Sequence, residues 1–155
     1  MVTQEAADLK IRREDMPFLP FSMHDVYIKK IRLQQLDDFM ANVTFMLPDG
    51  VYRSDEDSNP IPGSILFEQV DLDFSNVYVM KTCGVNYGKI KGRKYSLKKF
   101  IKKYKKADIE IVDETYGYNQ SKFSGYLYED ETIKEIMIEL YHVGGMYYLV
   151  EGEGE

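Results

Sequence analysis

The sequence predicts a strand-dominated α+β fold: an antiparallel β-sandwich or partly open barrel carrying one amphipathic helix at about residues 96–106. Three observations lead there. Short runs rich in β-branched and aromatic residues recur along the chain, as in Asn42–Leu47, Val77–Cys83 and Phe123–Tyr128. Turn residues punctuate them, among them Asp49-Gly50, Gly117 and Gly144-Gly145. Only Ser96–Lys106 shows helical periodicity of any strength.

Met1–Asp15 has weak periodicity and reads as a loosely ordered N-terminal arm or a short helix ahead of a single domain spanning 1–155. Met16–Phe21 carries two prolines and reads as an extended lead-in. In Val26–Leu33 the apolar residues sit at 26 and 28, then at 31 and 33, a change of parity that predicts a bulge near Lys29-Lys30. Asn42–Leu47 is expected to turn through Pro48-Asp49-Gly50 into Val51–Arg53. Residues 54–63 are expected to form an exposed loop. Ile65–Phe74 places Leu66, Val70, Leu72 and Phe74 on one parity, and Ser75-Asn76 suits a tight hairpin into Val77–Cys83. Later strands are expected at Asp108–Asp113, Phe123–Tyr128, Ile133–Tyr141 and Met146–Glu151; the third also fits a helix, but its length and neighbours favour a strand.

In the helix, Ser96 is placed to cap the first turn, and Leu97, Phe100, Ile101 and Tyr104 fall on one arc. Lys98, Lys99, Lys102, Lys103, Lys105 and Lys106 occupy the opposite side, where repulsion between lysines three and four apart costs about 0.2–0.5 kcal/mol per pair.

Charge is the sequence's most informative property. The net charge is −6, yet residues 74–107 hold eleven Lys and Arg and no Asp or Glu, leaving −17 for the rest of the chain. Such a dipolar arrangement bears on partners rather than on fold. No apolar run reaches the roughly 20 residues of a membrane span, no secretory signal is visible, and the single cysteine, Cys83, excludes an internal disulfide. A cytoplasmic location is expected on those grounds.

The chemical motifs fail on their own requirements. Gly84–Ile90 has three residues between its glycines where a phosphate loop has four, and Ile90 where the magnesium-binding hydroxyl belongs. Asp55, Asp57 and Asn59 open like a calcium loop, but Pro60 and Leu66 stand where Gly and Glu are needed. Asp71 and Asp73, expected on one strand face, and the pairs Asp113-Glu114 and Glu129–Glu131 are expected as ordinary surface charge. Cys83 reads as a core filler and His24-Asp25 as a turn contact. No cofactor and no metal are expected.

The leading functional expectation is a non-catalytic protein-interaction module, of which a toxin-neutralising immunity-type protein is one concrete case. Its interface would use the helix lysines with Tyr116 and Tyr118, and its partner would be an acidic protein surface. The alternative is a nucleic-acid-binding domain using the basic 81–106 island, against which the acidic balance counts. An enzyme with a Cys or carboxylate site ranks below both. Edge strands rich in β-branched residues leave a homodimer open.

Overall fold

A computed structural model describes residues 9–54, 59–81 and 91–151. The strand-rich, antiparallel expectation holds: among the described residues two six-stranded antiparallel sheets, one of them a half-barrel, enclose the core, with one α-helix. The first sheet runs β1 (Leu9–Arg12), β12 (Met146–Val150), β6 (Ile61–Asp71), β5 (Met40–Arg53) and β2 (Phe21–Ser22), with β4 (Lys30–Gln35) also paired to β5. The second runs β3 (Val26–Ile28), β9 (Asp108–Gly117), β10 (Gln120–Glu129), β11 (Thr132–Tyr141), β7 (Asn76–Lys81) and β8 (Gly92–Ser96). No described helix is long and apolar enough to cross a membrane.

Several local features take another form than expected. Leu9–Arg12 pairs with β12 rather than fraying or coiling, and a single 3-10 turn (Arg13–Asp15) follows. The parity change at Lys29 is not a bulge within one strand. β3 pairs with β9 in the second sheet and β4 with β5 in the first, so the chain switches sheets there. Pro48-Asp49-Gly50 does not close a hairpin either. β5 continues through it as one strand with a register shift between Leu47 and Val51. The irregularity tolerates a residue that cannot donate to a ladder, and Gly50 supplies the positive φ of 99°.

In β6 the buried residues are Ile65, Phe67 and Val70, while Phe74 is exposed. The parity flips because Glu68 and Gln69 together oppose Asn42, with Gln69 at φ 54° and its N–H donating to Asn42 Oδ1 (3.0 Å). Residues 72–75 then cross to the other sheet, so Ser75-Asn76 is no hairpin turn. Buried Ser75 instead accepts from the Tyr141 N–H (3.0 Å). Ile133–Tyr141 is a strand, as favoured, lying between β10 and β7.

The core is a ring cluster spanning both sheets. Phe45 and Phe67 from the first sheet meet Phe123 from the second at centroid separations of 4.9–5.8 Å, all edge-on. That geometry suits the aromatic quadrupole.

The helix α1 (Leu97–Lys103) forms where its cap and stripe require. Ser96 Oγ accepts from the Lys99 N–H (3.3 Å), and Leu97 and Phe100 are buried. It ends three residues sooner than its periodicity suggests. Tyr104 leaves helical dihedrals, and the Ala107 N–H bonds back to Tyr104 O (3.0 Å), returning the chain to β9. Lys105 and Lys106 therefore lie in that turn, and the lysine pairs at helical spacing reduce to 98/102, 99/102 and 99/103.

Candidate anion-binding face

All six lysines of the 98–106 segment are exposed. Within α1, Lys98, Lys102, Lys99 and Lys103 fan over an arc of about 140° at 100° per residue. The arc is open to solvent because the opposite stripe is held down by aromatic packing. Tyr104 lies 5.2 Å from Phe100 and 5.8 Å, edge-on, from Tyr95 of β8. Lys103 is the hinge between helix and sheet, since its Nζ donates to the Tyr95 hydroxyl (3.3 Å).

Beside Lys103 the basic surface becomes concave. A cavity of about 290 Å³ is lined by Lys81 of β7, Lys91 and Arg93 at β8, Lys134 of β11 and Lys103, with Tyr95 and Tyr104 in its wall. The register makes this convergence: Lys81 is opposite Lys134, and Arg93 is opposite Val79. Among the described residues none of these five cations is held in an ion pair. Tyr95 is drawn below the ordinary phenol range, first by the Tyr104 hydroxyl and then by Lys103 and Arg93, whereas burial leads in pushing Tyr104 up to about 12. Lys134, with its Nζ 5.6 Å over the Tyr104 ring, lies outside the basic island of the sequence. Only its register against Lys81 brings it in.

The two tyrosines expected beside the lysines are elsewhere. They lie at the far end of β9, about 30 Å along the strand from Asp108 at ~3.3 Å per residue. Tyr118 occupies the two-residue β9–β10 turn and is 91% exposed. Tyr116 is turned inward. Its hydroxyl donates to Glu114 (2.8 Å), and the Arg13 guanidinium stacks 4.2 Å over its ring. Inward orientation of Glu114 and Tyr116 follows from the irregularity at Ser124/Gly125, which switches the parity of β9 after Ile111.

This interior end holds the remaining polar chemistry. Glu114 also accepts from the Met23 N–H (2.6 Å), and burial raises its carboxyl above the usual range despite those donors and Arg13. The Glu14 carboxylate accepts from the Met146 N–H (2.9 Å). Tyr148, fully buried, has a hydroxyl without a hydrogen bond of proper geometry, and Arg13 Nε is in the same condition. Burial raises the phenols of both Tyr116 and Tyr148.

A Ser–His contact also emerges that the sequence did not suggest. His142 Nδ1 faces the Gly144 carbonyl (2.8 Å), which can only accept, so Nδ1 carries the proton and Nε2 accepts from the Ser121 hydroxyl (2.8 Å). Ser121 is 0% and His142 1% exposed. A nucleophile needs access to substrate, and neither residue lines the basic cavity. The inward parity of Ser121 with Phe123 and Leu127 was the one available signal.

Burial lowers the His142 imidazole below its usual 6.5. Below pH 6.5 the unfolded chain therefore takes up a proton that the folded chain refuses, and stability falls with pH in that window. Glu114 has the opposite sign. From 4.5 up to its raised folded value the native state holds the extra proton, so stability falls as pH rises. Urea titrations across pH 4–8 should show the cost of His142→Asn largest above pH 6.5 and shrinking on acidification. The cost of Glu114→Gln should shrink in the other direction.

The other sequence candidates separate rather than converge. Asp71 and Asp73 do not share a strand face, because β6 ends at Asp71, whose Oδ1 accepts from the Asp73 and Phe74 N–H groups (2.9 and 3.1 Å). His24 bonds the Val112 carbonyl (2.8 Å) and faces Asp25 (3.4 Å) at an exposed corner, which raises its pKa. Among the described residues no cluster of three or more His, Cys, Asp or Glu could hold a metal ion. Cys83, Gly84–Ile90, Asp55 and Asp57 lie outside the described residues.

Fold and site together define a pair of antiparallel sheets, one a half-barrel, with a basic helix and a basic cavity beside it. Comparison with protein-family models, curated proteins and solved structures finds no match for the chain.

Proposed function

We propose that the protein is a non-catalytic interaction module whose α1 face docks an acidic protein surface. The observation that supports this reading is the segregation of charge. Four lysines fan over one seven-residue helix with no acid in it, in a chain that is otherwise strongly acidic. Exposed single charges are normal, but a one-signed helical face carries self-repulsion that an opposing acidic surface relieves. A protein surface is favoured over a nucleic-acid backbone because the −17 of the remaining chain would repel an extended polyanion beyond a narrow contact. Docking would remain within reach of salt, since exposed pairs are screened over about 8 Å at physiological ionic strength.

The test is the triple variant Lys98→Gln, Lys99→Gln, Lys102→Gln, with polyglutamate and duplex DNA as probes at low and high salt. The wild type is expected to bind polyglutamate in preference to DNA, with affinity falling as salt rises. The variant should weaken that binding about tenfold and flatten its salt dependence, while folding as before. Unchanged binding by the folded variant would make the helix face a solvated surface only.

A further inference from the structure

We propose that the cavity between β7, β8, β11 and α1 is a binding site for a compact ligand carrying two or more phosphoryl groups. This goes beyond the protein-docking face, from which it borrows Lys103 alone.

Charge carries the inference first. Lys81, Lys91, Arg93, Lys103 and Lys134 surround one concavity. Lys81 and Lys134 are directly opposed on paired strands, an arrangement that destabilises a sheet unless something neutralises it. Among the described residues no carboxylate lines the cavity. Glu129 acts on its wall through Tyr104. Three surface lysines elsewhere are paired: Lys29 meets Asp108 and Asp49, Lys122 meets Glu139, and Lys10 meets Glu68. The cavity cations, like the helix lysines, have no such partner among the described residues, but they alone converge on one concavity.

Shape and donor chemistry narrow the ligand. A single carboxylate neutralises one charge and offers two oxygens, which leaves most of five cations unanswered. A phosphoryl group carries more charge on three acceptor oxygens, and two or three in a chain match this set. The Arg93 guanidinium provides the planar fork suited to phosphate, the lysines provide point charges, and Tyr95 adds a hydroxyl already polarised by Lys103. The volume of about 290 Å³ equals roughly ten waters at liquid density, enough for a di- or triphosphate chain.

Inorganic tripolyphosphate is the probe, with monophosphate at matched ionic strength as control and thermal unfolding as the readout. Tripolyphosphate should raise the melting temperature saturably by several degrees, because a ligand of the native state alone stabilises it. It should act at concentrations at least tenfold below those of monophosphate. The double variant Arg93→Gln, Lys134→Gln, shown folded by circular dichroism, should need at least tenfold more tripolyphosphate. Lys98→Gln, Lys99→Gln, Lys102→Gln should respond like wild type, which separates this site from the docking face. A nucleoside triphosphate arm identifies the source. Equal potency means the phosphate chain alone is read, and greater potency means a nucleotide. Absence of a saturable rise, a rise that the double variant retains, or tighter binding of duplex DNA than of tripolyphosphate would each overturn the proposal.

Discussion

Gly125→Val is expected to destabilise the protein by about 3 kcal/mol or more, at the top of the range for overpacking. A Cβ at this position would stand 1.8 Å from the Glu110 carbonyl oxygen and 2.9 Å from its carbonyl carbon. Both are backbone atoms of the neighbouring strand, so no side-chain rotation relieves the overlap. β9 and β10 would have to part at the register shift between Ser124 and Gly125, and that shift is what turns Glu114 and Tyr116 inward. The damage should therefore reach the interior polar end as well as the ladder. In a chain of this length the melting temperature should drop by about 6–12 °C. Gly117→Ala is the control. A Cβ there meets nothing within 4 Å, and the change should be neutral or stabilising by up to about 1 kcal/mol, through the unfolded chain. If urea denaturation gave both variants the same midpoint, the close approach at Gly125 would not be what holds the two strands in register.

The contrast between these glycines shows what a sequence can and cannot disclose. The β-rich run of β10, the Ser96 cap and the Leu97–Phe100 stripe are local, each imposed by side-chain type or period against one neighbouring surface. They were legible. Changes of parity were visible too, but their meaning was not. At Lys29 the change marks a crossing between sheets, at Gln69 a two-against-one bulge, and at Pro48–Gly50 a kink inside a fourteen-residue strand. The same one-residue slip in pattern serves all three, and only the pairing partner distinguishes them. The candidate site divides the same way. The helix lysines could be read from spacing. Lys134 could not, because it joins Lys81 through register across 53 positions of chain. The inward position of Tyr116 is not legible from spacing, because β9 changes parity after Ile111, at a step whose signal, Gly125, sits on the partner strand.

Phe67→Ala should cost about 3–5 kcal/mol, the usual range for removing a fully buried ring, and should do so in a pH-dependent way. Phe67 is 0% exposed and is where the two sheets lock. Its ring lies 4.9 Å from Phe45, 5.8 Å from Phe123 across the interior and 5.5 Å from the His142 imidazole. Truncation leaves a void bounded by rings that cannot collapse without disturbing both sheets, so the cavity contribution should be close to its full value. The same void opens one side of His142, whose low pKa is owed first to burial. Hydration there should let the imidazole return toward 6.5, and the variant should lose part of the acid-side fall in stability that the wild type shows below that pH. Phe67→Ala should consequently look worse at pH 7.5 than at pH 5.5, by the fraction of the His142 shift that is relaxed. Phe67→Leu, which keeps most of the volume, should cost less than half as much and keep the wild-type slope. A penalty for Phe67→Ala that is the same at both pH values would mean that His142 is sealed by Ser121 and the Gly144 carbonyl alone, independently of the aromatic cluster.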